Sequence, residues 1–480
     1  MQISTHFPVL QILLPLVAGI LSALSFNGRR AYFISLLFAA SAFALSVYSY
    51  QFVSIGAASY TMGGWQPEYA IEYRLDGFNQ LIIIFINAAL LFLLLFGKSL
   101  INSSILKNIN DEYRHLFFAL LLFAHSGYLG VVSTNDLFNI YVFVEISSLA
   151  TYVLMSISAK RSSLIGAFDY LVIGTIGATL ILIGIGFILA YTGGLNISQV
   201  ASIISLNEYN KVLHTSIAFI LVGVMLKIAF LPMHFWMRRA YMHTSSILLT
   251  YFAAIGSIFC ICILMRFLYF VIDIDHLTFM LERVIRPAAF FVMILGSFLA
   301  VRSKHLKEIV VYSTTAQIGY IFLLVTIIDA KMVLFFLLII DAANKIALFT
   351  IIAHLESKTN DLSVDNFVGL NHSVLFKTLT AFALLSSVGL PFTSMFFVKI
   401  SILQTLLSNS LYVGFVVTIA SSLLSILYHL KITKMLFLTK KSENTIEINE
   451  DLSGLVFIVA LQFISLFYIS NIANNFEFMY

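Results

Sequence analysis

Long apolar stretches alternate with short polar segments from one end of the chain to the other. A helix needs about 20 apolar residues to cross a bilayer, and most of these stretches reach that length. They lack the residue-by-residue alternation of membrane β-barrel strands. The pattern therefore predicts an all-α polytopic membrane protein with about 14 transmembrane helices. Their expected limits are 8–25, 31–51, 79–97, 115–133, 136–158, 164–191, 212–236, 245–271, 285–301, 309–328, 332–354, 378–407, 410–430 and 452–471.

The basic residues test this count of helices. Of the 27 Lys and Arg residues, 18 lie in the loops after odd-numbered helices and 5 lie in the loops after even-numbered helices. The other 4 lie inside predicted helices. Cytoplasmic loops carry the excess of basic residues, so the bias predicts that odd-numbered loops face the cytoplasm and both termini face outside. No basic residue precedes the first stretch, which favours a retained helix over a cleaved signal. The predicted location is the inner membrane.

The composition supports this fold and excludes several functions. The chain has 480 residues, of which 60% are hydrophobic and 10% charged, and no soluble fold could bury that much apolar surface. The formal net charge of +4 includes no basic cluster with interleaved aromatics, so we expect no nucleic-acid partner. Cys260 and Cys262 point in different directions on one helix, and they are expected to be core residues. We therefore expect no metal, flavin, haem or iron–sulfur cofactor.

Charged residues at membrane depth are the candidate functional groups. Glu145 lies near the middle of the fifth predicted helix, where a charge must be paired, neutralised or used. Lys227 lies inside the seventh, five residues before Pro232, which removes a backbone donor and predicts a helix break. The alternatives are a neutral glutamic acid bonded to a neighbouring helix and a lysine that extends to the cytoplasmic surface.

The second half of the chain repeats this pattern. Asp341 and Lys345 are four residues apart in the eleventh helix, which predicts an ion pair on one face. Such a pair could serve transport or structure alone. Lys399 follows Gly389 and Pro391, so the twelfth helix is also predicted to be broken. A lysine near a proline, repeated five helices later, predicts two inverted repeats of five helices each.

Other polar residues are weaker candidates. His125 in the fourth helix could relay protons, although a lone buried histidine is more often a hydrogen-bonded core residue. His234 lies beside the predicted break after Lys227, where it is an accessory candidate. Arg266 lies toward the outer end of the eighth helix and is expected to extend its charge to the surface.

Six motifs resemble one known family, the antiporter-like membrane subunits of Mrp-type sodium/proton antiporters and of respiratory complex I. The resemblance runs from about residue 60 to 400. The motifs are Gly63-Gly64-Trp65-Gln66-Pro67 with Leu75-Asp76-Gly77, the run Asp136 to Glu145, Lys227 with Phe230, Pro232, His234 and Trp236, Leu306-Lys307 with Val311-Tyr312-Ser313 and Gln317 to Tyr320, Asn344-Lys345 with Leu348-Phe349, and Gly389-Leu390-Pro391 with Phe396 and Lys399.

The resemblance implies fourteen helices, two inverted five-helix repeats, and breaks in helices seven and twelve. The implied domains are 1–114 with the first three helices, 115–272 and 285–436 with the two repeats, and 437–480 with the last helix. It also implies that Glu145, Lys227, Lys345 and Lys399 form a proton relay across the membrane midplane, with Asp341 as an accessory group.

The chain departs from the family pattern at one relay position. The family usually has a lysine in helix eight, eight residues before an arginine, but counting back from Arg266 leads to Ile258. Ser257 lies beside it. Either ordered water held by Ser257 and nearby hydroxyls fills the gap, which we expect, or the proton path is cut at this position. Asp341 stands where the family often has a histidine.

These observations favour a proton-translocating subunit of a multi-subunit monovalent cation/proton antiporter, similar to the D-type member of the Mrp complex. One alternative is a proton-pumping subunit of an NADH–quinone oxidoreductase of the complex I type. The other is a diverged scaffold that conducts no protons. The expected partners are other membrane subunits of a hetero-oligomeric assembly, protons, a monovalent cation and the lipid bilayer. In the expected mechanism, Glu145 holds Lys227 protonated, and weakening their attraction releases a proton through Lys345 toward Lys399.

Overall fold

The computed structural model describes residues 6–67, 69–157, 161–206, 211–271, 280–359, 362–364, 373–438 and 452–462. Almost all of them are helical. The α-helices are α1 Phe7–Leu24, α2 Gly28–Val53, α3 Gly77–Phe96, α4 Lys98–Ser104, α5 Arg114–Ser133, α6 Leu137–Ser156, α7 Arg161–Thr192, α8 Ile197–Leu206, α9 Lys211–Lys227, α10 Phe235–His243, α11 Ser246–Met265, α12 Arg286–Arg302, α13 Leu306–Val325, α14 Lys331–Glu356, α15 Val374–Val388, α16 Ser394–Ser408, α17 Tyr412–Leu438 and α18 Ser453–Gln462.

The predicted all-α membrane fold is confirmed. Within the described residues, 11 helical segments are long and apolar enough to cross a membrane. The remaining predicted helices are the two broken ones and the last one. The seventh consists of α9 and α10, and the twelfth consists of α15 and α16. The last is described as far as Gln462, and its predicted remainder lies outside the described residues.

The two breaks follow from local sequence. Helix α9 ends at Lys227, and the chain runs through non-helical turns past Pro232 before α10 begins at Phe235. Helix α15 is followed by Gly389, which has a left-handed φ of 80° that glycine adopts without steric penalty. Pro391 follows before α16 begins. Each break leaves backbone carbonyls of the first half-helix without intrahelical partners, and these carbonyls can hold a cation.

The described residues fall into two compact units. The first contains those of Met1–Ile228 and Ile258–Leu277, and the second contains those of Ala229–Ser257 and Thr278–Phe476. Helix α11 therefore supplies residues to both units. The division into the four domains expected from the sequence stays a prediction.

In the first unit, α5 and α6 pack closely because α5 carries glycines at their contact. A Cβ atom added to Gly130 would lie 2.3 Å from the Phe143 ring, and one added to Gly127 would lie 2.7 Å from the Ser147 backbone. Both distances are shorter than van der Waals contact, so only glycine allows this approach. The close packing fixes α6, the helix that carries Glu145.

A β-hairpin in the first unit holds the start of α6. Strands β1 (Ala58–Thr61) and β2 (Glu72–Leu75) pair antiparallel within the polar segment between the second and third predicted helices. The buried Glu72 carboxylate accepts hydrogen bonds from the side-chain amides of Asn135 at 2.7 Å and Asn196 at 2.8 Å. The Asn135 backbone N–H also donates to the Glu72 carbonyl at 2.7 Å. These bonds clamp the residues that precede α6 to the hairpin.

The same backbone pattern occurs once in each unit. In the first unit, the Leu137 N–H donates to the Leu195 carbonyl, and the Ile197 N–H donates to the Asn135 carbonyl. In the second unit, the Leu306 N–H donates to the Leu362 carbonyl, and the Val364 N–H donates to the Lys304 carbonyl. Each unit thus ties the start of one helix to the chain beyond the next helix, and this supports the expected structural repeat.

Candidate functional site

Helix α6 positions the first candidate, Glu145. The helix begins after Asp136, whose side chain caps it by accepting the Asn139 N–H at 2.7 Å. Glu145 lies two turns further along and is half-buried. Among the described residues, the structure gives the Glu145 carboxylate no direct ion pair.

Lys227 is the last residue of α9 and is buried, with 8% of its surface exposed. Its ammonium donates a 2.8 Å hydrogen bond to the Ser148 hydroxyl of α6. Ser148 follows Glu145 by three residues, so both lie on one face of α6. The Glu145 charge is near enough to attract Lys227 electrostatically. Lys227 is thus held by a hydroxyl, with a carboxylate nearby rather than in contact.

The carbonyl end of α9 also stabilises the Lys227 charge. Helix dipoles place partial negative charge at their C-termini, and Lys227 lies in the last turn. In the break that follows, His234 is buried, and its Nδ1 lies 3.3 Å from the Pro232 carbonyl oxygen. His125 is also fully buried, and its Nε2 lies 2.9 Å from the Asn87 side-chain oxygen. Both histidines therefore have local polar partners.

In the second unit, the predicted ion pair on α14 is present. The Lys345 ammonium lies 2.6 Å from the Asp341 carboxylate, and both side chains are at least 95% buried. Lys345 also donates to the Ser257 hydroxyl of α11 at 3.0 Å. Ser257 therefore contacts the lysine directly, and the ordered water expected at Ser257 stays a prediction. Its neighbour Ile258 is fully buried.

A small polar cavity adjoins this ion pair. Its volume is about 20 Å³, and a site of roughly 10–15 Å³ with polar partners is enough to hold a water molecule. The polar residues that line it are Ser313, Thr314, Gln317, Asp341, Asn344, Lys345, Ser387, Tyr428 and His429. The cavity thus places a water-sized space against a carboxylate, an ammonium and an imidazole, which are groups that exchange protons.

Two hydrogen-bonded clusters extend from the cavity. His429 lies with Nε2 at 2.6 Å from the Ser387 hydroxyl and Nδ1 at 2.8 Å from the Ser425 carbonyl oxygen. The Asn344 side-chain oxygen accepts from the Ser386 hydroxyl and from the Gln462 amide, both at 2.8 Å. Serines next to the break in the twelfth predicted helix, and the last described helix, therefore support the surroundings of Lys345.

Lys399 lies at the second helix break. It belongs to α16, is 8% exposed, and donates a 2.6 Å hydrogen bond to the carbonyl oxygen of Val388, the last residue of α15. Gly389 makes room for it, because a Cβ atom there would lie 3.0 Å from the Lys399 side chain. The freed carbonyl at the end of one half-helix thus holds the lysine of the next.

The structure therefore arranges the sequence candidates in two sets. Glu145 and Lys227 belong to the first unit, while Asp341, Lys345 and Lys399 belong to the second. The contact of Lys227 with Ser148 was not predicted from the sequence. The available signal was a hydroxyl three residues after the half-buried Glu145. The sequence contains no comparable signal for the hydrogen-bonded cluster of Ser386, Asn344 and Gln462, because these residues come from three different helices.

Comparisons with known proteins identify the family. Residues 134–425 match the family described as "NADH:quinone oxidoreductase/Mrp antiporter, TM". The chain is 31% identical over 447 residues to NADH-quinone oxidoreductase subunit N of Desulforudis audaxviator, covering 91% of this chain and 87% of the relative. It is 28% identical to subunit N of Pelagibacter ubique, over 68% of this chain and 69% of the relative.

Solved structures share the fold. The Mrp complex from Dietzia sp. DQ12-45-1b contains a chain with a TM-score of 0.84 and 24% identity, covering 95% of this chain and 84% of that one. A chain of respiratory complex I from Thermus thermophilus has a TM-score of 0.78 and 18% identity, over 94% and 93% of the two chains. This chain is a multi-pass membrane protein, and it belongs to the NADH:quinone oxidoreductase/Mrp antiporter family of antiporter-like membrane subunits.

Proposed function

We propose that this chain is a proton-translocating subunit of an NADH–quinone oxidoreductase, embedded in the inner membrane with other membrane subunits. The relatives named subunit N support this assembly better than the D-type Mrp assignment that the sequence motifs favoured. The antiporter assignment remains the second candidate, supported by the shared fold with a chain of an Mrp complex. In either assembly, any redox chemistry would belong to partner subunits.

The observation that carries the proposal is a set of buried lysines with polar but incomplete partners. Lys227 and Lys399 are each placed at a helix break and contact a hydroxyl or a carbonyl rather than a carboxylate. A buried ammonium without a contacting counter-charge is expensive to keep, so its retention indicates a role in moving charge. Each lysine can release its proton when its surroundings change, and can regain it.

The carboxylates would control that release. When Glu145 is ionised, its charge favours the protonated form of Lys227, and movement of a proton or a partner near Glu145 weakens that attraction. In the second unit, Asp341 holds Lys345 in the same way but at contact distance. The cavity beside the pair provides room for a water molecule that could accept the proton. The positive-inside bias supports a topology with both termini on the periplasmic side.

The proposal is tested by replacing Lys227 with methionine in the assembled complex. Lys227→Met keeps the length of the side chain but removes the proton, and we expect it to reduce proton uptake by inverted membrane vesicles during NADH oxidation. The matched control is Lys211→Met, because Lys211 is an exposed lysine at the start of the same helix. Unchanged proton uptake per NADH in the Lys227 variant, with the complex intact, would refute the proposed role.

A second measurement separates the two candidate assemblies. The native complex is purified with its partners, and quinone reduction by NADH and sodium-dependent proton movement are each measured in vesicles. Redox partners with NADH-driven proton movement support the proposed assembly. Sodium-driven proton movement without redox partners supports the antiporter, and assembly without either activity supports the scaffold alternative.

A further inference from the structure

The first unit also contains a cavity, and neither Glu145 nor Lys227 belongs to its lining. Its volume is about 70 Å³, several times the roughly 10–15 Å³ that admits one water molecule. It is formed where β2, the start of α3 and the end of α11 meet. Its polar lining consists of Arg74, Asp76, Asn79, Asn135, Ser198 and Arg266. Loops at this end follow even-numbered helices, so the proposed topology places the cavity at the outer face of the membrane.

The two arginines give the cavity an unusual charge. Arg266 donates to the Val132 carbonyl, and Arg74 makes a long contact of 3.5 Å with the Ser198 hydroxyl. In the part of the chain that the structure describes, neither guanidinium forms an ion pair with a carboxylate. Each guanidinium has five N–H donors, so most of them remain available to a ligand.

The one carboxylate in the lining is already engaged. The Asp76 side chain caps α3 by accepting the Asn79 N–H at 2.9 Å, and the Asn79 side chain accepts the Asp76 N–H at 2.7 Å. This capping box directs part of the negative charge to the helix N-terminus. The charged residues that line the cavity therefore carry a net charge of +1, while the nearby Glu72 carboxylate lies outside the lining and is engaged by the Asn135 and Asn196 amides.

We propose that this cavity binds a phosphate oxyanion. Arginine side chains recognise phosphate oxygens through paired N–H donors, and Ser198 and Asn135 add neutral polar groups to the same cavity. The chemistry fits either the phosphodiester of a lipid headgroup in the outer leaflet or free inorganic phosphate. A net charge of +1 matches the single negative charge of a phosphodiester.

The charge of the cavity is tested with three variants of the full chain in its purified membrane assembly. Arg74→Gln and Arg266→Gln each remove one positive charge, and we expect at least tenfold weaker binding in both. Asp76→Asn removes the negative charge while keeping a residue that caps helices well, so it should bind several-fold more tightly. Arg283→Gln is the matched control, because Arg283 is an exposed arginine outside this cavity.

Two measurements distinguish the sources of the anion. In the first, the assembly is stripped of lipid and reconstituted in phosphatidylglycerol vesicles, and tightly retained lipid is counted by native mass spectrometry. In the second, lipid-poor assembly in detergent is titrated with inorganic phosphate against chloride at equal ionic strength, and its thermal stability is followed. Lipid retention identifies a headgroup site, and protection by phosphate identifies a free-anion site.

One result would overturn the proposal of an anion site. If wild type and the Arg74 variant retain the same lipid and respond equally to phosphate, the cavity holds only water. Arg74 is exposed, so this comparison remains valid even if loss of the Arg266 contact with Val132 prevents folding of the other variant. An Asp76→Asn variant with weaker binding than wild type would also contradict the proposed charge balance.

Discussion

The two units provide different partners for a buried lysine. In the first, Lys227 contacts the Ser148 hydroxyl, while the Glu145 carboxylate lies near but makes no direct ion pair in the described residues. In the second, Lys345 contacts the Asp341 carboxylate at 2.6 Å. The first arrangement leaves both charges free to respond to other groups. The second is closed in the sense that the two charges are in direct contact.

The repeated backbone pattern shows where the difference arises. Leu137 and Leu306 occupy matching positions at the starts of α6 and α13. Glu145 lies eight residues after the first, and eight residues after the second lies Thr314, which is buried and lines the polar cavity. The second unit therefore has its carboxylate on the next helix, four residues from the lysine. The two charge pairs therefore differ in geometry: Glu145 and Lys227 lie on different helices, whereas Asp341 and Lys345 lie on one helix and are in contact.

The helix breaks differ in a related way. Lys227 donates to a hydroxyl, which can both accept and donate a proton, whereas Lys399 donates to a carbonyl, which can only accept a hydrogen bond. The Ser148 contact can therefore form part of a relay. The Val388 contact can only hold the ammonium in place, so a proton from Lys399 must leave in another direction.

The largest expected effect on stability comes from breaking the Asp341–Lys345 ion pair. Asp341→Ala leaves the buried Lys345 ammonium without its counter-charge, which should destabilise the protein by about 3–5 kcal/mol. Unfolding of the variant in detergent, followed by denaturant titration, measures the loss. The double change Asp341→Ala with Lys345→Leu should restore most of the stability but not proton transport. Normal transport in the double variant would place the pair outside the proton path.

An intermediate effect compares the two hydroxyl partners. Ser148→Ala removes the direct partner of Lys227 and should cost about 1.5–3 kcal/mol, as for a hydrogen bond to a charged group. Ser257→Ala removes a partner of Lys345, which keeps Asp341, so we expect less than about 1 kcal/mol. The two variants serve as controls for each other in one unfolding assay. Equal losses would show that the two lysines do not differ in the way described.

The smallest effect on stability is expected at Glu145, which lies near Lys227 without a direct ion pair in the described residues. Glu145→Gln keeps the shape of a half-buried side chain that has no direct ion pair among the described residues, so stability should change by no more than about 0.5 kcal/mol. Proton flux through vesicles that contain the assembled complex should nevertheless fall, because the charge that acts on Lys227 is lost. Full flux in this variant would assign Glu145 a structural role.

The sequence predicted features that depend on neighbours within one helix. Apolar length located the membrane helices, Pro232 and Pro391 located the breaks, and the four-residue spacing of Asp341 and Lys345 predicted their contact. These features follow from helix geometry alone, and the structure confirms them.

Contacts between helices were not predictable in the same way. The partners of Lys227 and Lys345, which are Ser148 and Ser257, come from other helices and are chosen by packing. A serine in an apolar helix looks the same in sequence whether it bonds to its own backbone or to a lysine. The β-hairpin was also missed, because its strands of four residues are too short to show a pattern.

The clamp between the hairpin and the start of α6 restricts how Glu145 can move. Amide protons at Asn135, Leu137 and Ile197 are all engaged in backbone hydrogen bonds around this point, so they should exchange slowly with solvent. A helix anchored at its first residue cannot slide along its axis by a turn without breaking those bonds together. Any switching of the Glu145 carboxylate during turnover is therefore expected to be a rotation of its side chain rather than a displacement of the helix along its axis.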